Sequence, residues 1–146
     1  MSNLRSSVVA ALGALSLMGG VALAQQATEF KPDAGGQITF VTPSGNVGCT
    51  FTPKGATGVY KPADGGPELS CDRREPKYVR VVMTPKSVKR FDDVGDRGCC
   101  DASNPLPYGA RWSHESFVCE SANSGLTCKR NDGRGFTISR ERVETF

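Results

Sequence analysis

Apolar and polar residues alternate with period two through several short stretches of the chain. At 78–83 (YVRVVM), Val79, Val81 and Met83 fall on one face and Arg80 on the other, the period of a half-buried strand. Shorter runs at 37–41 (QITFV), 47–52 (VGCTFT), 116–120 (SFVCE), 126–129 (LTCK) and 136–139 (FTIS) are rich in the β-branched and aromatic residues that suit a pleated surface. Thr-Pro-Ser-Gly-Asn between the first two of these is a turn signal. Residues 53–67 hold four glycines and three prolines and predict a loop. The polar stretch 84–98, with Gly95 and Gly98, predicts loop or weak structure. No window sustains a 3.6-residue apolar period, and there is no internal repeat or low-complexity tract. The expected class is mostly β: a small antiparallel β-sandwich or a partly open barrel, between which the pattern does not decide.

The beginning of the chain departs from this pattern. Arg5 is the only charged residue among the first 28, and Val8 to Leu23 are almost wholly apolar or small. Ala22-Leu23-Ala24 then precedes two glutamines. A basic start, a short apolar run and an A-x-A site predict a secretory signal peptide over 1–24. The run is short of the roughly 20 apolar residues that a membrane span needs, so no stable membrane insertion is expected after cleavage. Residues 25–36 are polar, with Pro32 and a Gly-Gly pair, and predict a flexible leader. Residues 37–146 are then a single domain in the periplasm or the medium.

The chain has 146 residues, six cysteines and one histidine, with 18 basic against 15 acidic side chains. Loss of Arg5 with the signal leaves a small positive balance of interspersed charge. That balance favours solubility and gives no basic stripe for nucleic acid. An even number of cysteines behind an export signal predicts three disulfides. Zinc is disfavoured because C-x-x-C is absent and His114 is alone.

One bridge follows from hairpin geometry. In FVCESANSGLTCKR (117–130), a two-residue loop at Asn123-Ser124 sets Ala122 opposite Gly125 and Cys119 opposite Cys128. Counting outward makes the cysteines a non-hydrogen-bonded pair with close Cα atoms, about 4.5 Å apart, within disulfide range. Cys49, Cys71, Cys99 and Cys100 then form two further bridges of undetermined order. The preferred arrangement sends Cys99 and Cys100 back to Cys49 and Cys71, one each. The alternative joins Cys49 to Cys71 and leaves a Cys99–Cys100 ring or two thiols, an arrangement that suggests redox chemistry.

Candidate chemistry is sparse. Ser113-His114-Glu115 is not a triad signal, because neighbours on a strand point to opposite faces, and His114 is expected at the surface. Asp92, Asp93, Asp96 and Asp101 lack the regular calcium loop and read as solvated charge. In PYGARW (107–112), Arg111 and Trp112 are a candidate interface pair, against the competing expectation that the only tryptophan of a small β domain belongs to its core. Asp132-Gly133-Arg134-Gly135 predicts a tight turn, with Arg134 at its tip as a candidate anion contact. No phosphate loop, nucleophile elbow, metalloprotease motif or cofactor motif is present, so no catalytic or metal-binding residue and no cofactor is assigned.

PSGNVGC (43–49), CDRREPKYVRVV (71–82), GCC (98–100), LPYGARW (106–112), FVC (117–119) and GLTCKRNDGRGFTISR (125–140) together resemble a family of exported bacterial proteins, a domain of unknown function. Its pattern runs P-S-G-N-x-G-C, Y-G-x-x-W, F-x-C, G-L-T-C and G-H-G-F-x-L-S-R. The resemblance covers about residue 38 to the C-terminus and implies one small secreted or periplasmic domain. It carries no catalytic residues over. Arg134 stands where the pattern has histidine, which argues against a base or metal ligand at that position here.

The function expected from these observations is an exported, non-enzymatic binding or structural domain. Its partner would be a protein or a cell-envelope ligand: an envelope component, a glycan or an enzyme that it inhibits. The alternatives are a small secreted hydrolase or effector working through carboxylates and His114, and a thiol-redox protein working through Cys99-Cys100.

Overall fold

A computed structural model describes residues 25–55, 58 and 60–146. The proposed signal peptide lies outside the described residues. Eleven strands follow one another: β1 (Gln26–Thr28), β2 (Ile38–Val41), β3 (Val47–Thr52), β4 (Glu68–Arg73), β5 (Val79–Met83), β6 (Val88–Phe91), β7 (Ala110–His114), β8 (Phe117–Ala122), β9 (Gly125–Arg130), β10 (Gly135–Ile138) and β11 (Val143–Thr145). The described residues contain no helix. One sheet is the meander β2-β3-β4-β5-β6, and the other has the order β1-β7-β8-β9-β10-β11. Every neighbouring pair is antiparallel except β1 with β7. Neither sheet closes on itself, and the two face each other across one core as an open β-sandwich.

Strict alternation builds that core. Val47, Cys49 and Phe51 of β3, and Val79, Val81 and Met83 of β5, point inward. They meet Trp112, Phe117, Cys119, Leu126, Cys128, Phe136 and Ile138 of the other sheet. Phe40 lies 4.9 Å from the Trp112 ring and Phe51 lies 6.4 Å from it. The segment expected to be a flexible leader is tied at two points: β1 pairs with β7, and Phe30 stacks on Phe40 at 5.7 Å. Burying an aromatic ring offsets the entropy of ordering a short segment.

All six cysteines are bridged. Cys119 joins Cys128 as an opposed pair on β8 and β9, with Cα atoms 4.1 Å apart. Cys49 joins Cys71, opposed on β3 and β4, also at 4.1 Å. Cys99 joins Cys100. The preferred expectation that Cys99 and Cys100 each reach back is therefore corrected. Cys49 and Cys71 face each other in the core with relative exposures of 3% and 0%, out of reach of the later pair, which sits on the opposite face of that sheet.

Both cross-strand bridges lie within a sheet. What joins the sheets, besides the core, is a set of arginines reaching across the gap. Arg73 Nη1 donates to the Ser139 carbonyl at 3.0 Å, Arg90 Nη1 to Val143 O at 2.7 Å, and Arg130 Nη1 to Thr84 O at 2.9 Å. Arg73 and Arg130 are buried, and desolvation lowers the pKa of Arg73.

Candidate functional site

The outer face of the five-stranded sheet is polar, and the register arranges it in rows. Thr39, Thr50, Ser70, Val82 and Lys89 form one row across all five strands. Gly48, Asp72, Arg80 and Phe91 form the next. Thr52 and Glu68 form a third, with Gln37 donating to Thr52 Oγ1 at 3.0 Å. Apart from Gly48, Val82 and Phe91, these positions are the polar halves of the alternation that builds the core.

Tyr60 and residues 92–102 make this face concave. Tyr60 stands on one side, where its hydroxyl donates to Glu68 Oε1 at 2.8 Å. Residues 92–102 cover the other side with Val94, Asp96, Arg97 and the Cys99–Cys100 bridge. The result is two adjoining cavities of about 690 Å³ and 430 Å³ that share Thr50, Ser70, Arg80 and Asp96 as lining residues. The Cys99 sulfur lies 3.3 Å from the Asp72 carbonyl oxygen. A bridged sulfur has no proton to donate, so the bridge presents an apolar wall.

Gly48 is what allows that wall to sit so low. A Cβ at position 48 would stand 3.0 Å from Cys100 Cβ and 3.2 Å from Cys99 Sγ. The glycine of PSGNVGC is thus a close-approach position.

Arg80 organises the charge. Nε and Nη2 donate to the two Asp72 carboxylate oxygens at 2.7 and 2.8 Å, and Nη1 donates to Asp96 Oδ1 at 2.9 Å. Asp72 also accepts from the Tyr78 hydroxyl at 2.7 Å. Hydrogen bonding to Asp72 raises the Arg80 pKa further above its already high value. The guanidinium is thereby matched by two carboxylates, the largely buried Asp72 and the exposed Asp96. The remaining charge of the groove is acidic: Glu68, Asp93 and Asp101 against Arg97. Arg97 lies over the Tyr78 ring, 5.7 Å from its centroid. Burial raises the pKa of Glu68 above its ordinary value, and burial together with Glu68 pushes the Tyr60 hydroxyl up to about 12.

Of the residues that the sequence marks, Asp93, Asp96, Asp101, Cys99 and Cys100 line this groove, and the binding candidates Arg111, Trp112 and Arg134 do not. Trp112 is 1% exposed, enclosed by Phe40 and Phe51, so it is corrected from candidate contact to core. Arg111 is exposed on β7 opposite Glu120, on the outer face of the other sheet. Arg134 is exposed in the turn between β9 and β10, where Asp132 Oδ1 accepts from its backbone N–H at 3.1 Å. It borders a cavity of about 530 Å³ shared with Lys86 and Arg130. The structure does not bring Arg111, Trp112 and Arg134 together.

His114, expected at the surface, is half-buried, edge-on to Phe51 at 4.6 Å and stacked on Trp112 at 6.1 Å. Ser113 faces Val118 across the ladder, and Glu115 sits in the following turn with φ of 49°. Asp92 is held by Arg90 and Asp96 by Arg80.

Thr50 and Thr52 fall in the expected 47–52 strand, but Ser70 and Asp72 lie on β4, which no alternation marks, and nothing in the sequence signals the walls around them. Among the described residues no helix is long and apolar enough to cross a membrane, and three disulfides are what an oxidising compartment sustains. No known protein family, curated protein or solved structure matches the chain.

Proposed function

We propose that the chain is an exported binding domain of the periplasm or the cell exterior, working without catalytic turnover, and that it holds an envelope partner in the groove over β2–β6. The observation that carries this reading is the preorganisation of the groove. Its floor is fixed by five paired strands, its central arginine by Asp72 and Asp96, and its wall by the Cys99–Cys100 bridge. Ligand sites are concave, about 300–1,000 Å³ in volume, and combine an apolar wall with a few fixed polar groups. Rigidity of this kind lowers the ordering cost of binding. The sequence resemblance to exported bacterial proteins and the predicted signal peptide support the location.

Oxidised protein immobilised and exposed to envelope and cell-wall fractions tests the reading. Retention by the native protein that is lost in a groove variant such as Thr50→Arg, but kept in Arg111→Ala and Arg134→Ala, is the expected result. Retention that survives Thr50→Arg while the variant remains folded overturns it.

One observation favours a second reading, a small hydrolase. Glu68 is a buried carboxyl at the groove wall with a raised pKa, the condition a general acid requires. Glu68→Gln separates the two: a binding domain keeps its ligand and shows no turnover to lose, whereas a hydrolase keeps the ligand and loses cleavage.

A further inference from the structure

Four large apolar side chains are exposed among the described residues: Tyr60 at 45%, Phe91 at 42%, Tyr108 at 44% and Phe146 at 49%. Two of the four, Tyr60 and Phe91, border the same cavity of about 430 Å³. They arrive by different routes. Tyr60 comes from the 53–67 loop, its hydroxyl bound to Glu68. Phe91 ends β6 and is set on the outer face by its pairing with Arg80. Exposed aromatic surface gathered around a concavity marks a contact surface.

Besides the charged Glu68, Arg80, Asp93 and Asp96, the lining that accompanies the two rings is hydroxylic. Thr50, Thr52 and Ser70 carry hydroxyls and Gln37 an amide, and each of these groups both donates and accepts. A ligand that suits them has donors and acceptors of its own, together with apolar faces that rest on rings. A polyhydroxylated ring chain has both. The charge excludes the main competitors: Arg80 is matched by Asp72 and Asp96, and the acids around it repel phosphate, sulfate and nucleic acid. The lining row from Thr39 through Thr50 and Ser70 to Val82 crosses four strands, about 14 Å at roughly 4.8 Å per strand, which suits an extended chain better than a compact metabolite.

We infer that the groove takes a neutral oligosaccharide, with Tyr60 and Phe91 as stacking platforms and the Thr50–Ser70 row as the hydrogen-bonding floor. The inference rests on the groove being the binding surface.

Calorimetric titration of the oxidised protein with chitotetraose and cellohexaose, alongside a heparin oligosaccharide and spermine, tests it. Saturable binding of at least one neutral oligosaccharide is expected, weakened tenfold or more by Phe91→Ala and by Tyr60→Ala. Tyr60→Phe keeps the ring and retains affinity. Tyr108→Ala, equally exposed but outside the groove, leaves binding unchanged. Binding of spermine or heparin with no neutral oligosaccharide bound overturns the inference. So does neutral-sugar binding that survives both alanine variants. If the sugars fail while Thr50→Arg still abolishes envelope retention, the ligand class is wrong and the groove stands. If Thr50→Arg leaves retention intact, the groove itself is wrong.

Discussion

The side-chain amide of Asn46 exchanges two hydrogen bonds with the main chain of Glu75: Nδ2 donates to the Glu75 carbonyl at 2.9 Å, and Oδ1 accepts from its N–H at 2.8 Å. Beside it, Arg74 donates to Gly45 O at 3.1 Å and its own N–H binds Asn46 O at 3.0 Å. The β2–β3 turn and the β4–β5 turn are thus sewn together, and two sequence blocks, PSGN and RREP, become one structural unit. Only a group that donates and accepts in one plane makes this exchange. Asn46→Ala is expected to cost about 1–3 kcal/mol, at roughly 0.5–1.5 for each of the two bonds. Asn46→Asp, which loses the donor, falls between that and the native protein. Urea midpoints at constant m-value check the order.

The contact between Gly48 and the Cys99–Cys100 bridge leaves no room for a methyl group, with the nearest atom 3.0 Å from a Cβ there. Gly48→Ala should destabilise the protein by about 1–3 kcal/mol, the range for overpacking a filled site. Gly98→Ala, on the same loop but with nothing within 4 Å of its Cβ, should be neutral. Amide NMR shifts locate the change. In Gly48→Ala they concentrate at residues 96–101, and movement confined to β3 with the loop unmoved refutes the contact.

Glu68 gives a pH signature. Its folded pKa lies above the ordinary 4.5 because burial disfavours the ionised form. Folding therefore favours the protonated carboxyl. Its contribution is fully present below about pH 4.5 and is lost as pH rises through the folded value. Glu68→Gln removes that loss, so the variant should gain stability relative to the native protein between pH 4.5 and 7 and show no gain below that window. Unfolding midpoints of the two proteins across pH 3.5–7 check this. A difference independent of pH would place the carboxylate in solvent.

How legible this was varied along the chain for physical reasons. The β8–β9 hairpin was readable to the residue, because a two-residue loop and period-two pairing place Cys119 opposite Cys128 without any tertiary information. β3 and β5 were equally clear from alternation. β4 was hidden by Glu68, Asp72 and Arg73, all buried. Charged residues read as loop until Tyr60, Arg80 and the Ser139 carbonyl, distant in sequence, supply their partners. β6 and β1 are short edge strands with little apolar signal, and their pairing is decided by neighbours. The groove depends on Tyr60 and residues 92–102 standing over the sheet, which no local pattern specifies. Residue type marks Arg111 and Trp112 and turn position marks Arg134, but neither signal reports burial, and Trp112 lies in the core.

The three bridges should differ in value. Closing the loop of Cys49–Cys71, separation 22, restricts the unfolded chain most, by about 3–3.5 kcal/mol, and Cys119–Cys128, separation 9, by about 2.5–3. Paired Ala substitution at either should lower stability accordingly. Cys99 and Cys100 are adjacent, so their bridge removes little unfolded-state entropy, and Cys99→Ala with Cys100→Ala should leave the unfolding midpoint nearly unchanged while weakening groove ligands. Alkylation without reduction should find no free thiol. A large stability loss on removing the adjacent pair would show that it staples the fold rather than walls the groove.

Arg130 tests what holds the sheets together. Its side chain is 7% exposed, donates across the gap to Thr84 O at 2.9 Å, and is held by Asp132 at 2.6 and 3.0 Å. Asp132 is itself half exposed, so its ion pair is screened and belongs to the weak surface class, and its main service is to orient the guanidinium. Arg130→Ala strips the buried Thr84 carbonyl of its donor, a loss of about 1–3 kcal/mol. Asp132→Asn should cost less, because the neutral amide still accepts one hydrogen bond and the carbonyl keeps its partner. Arg130→Lys keeps the charge but cannot span Asp132 and Thr84 at once, so it should lie between the two. Chemical unfolding of the three variants settles the order. Equal losses from Arg130→Ala and Asp132→Asn would mean that the ion pair, and not the bond across the sandwich, carries the stability.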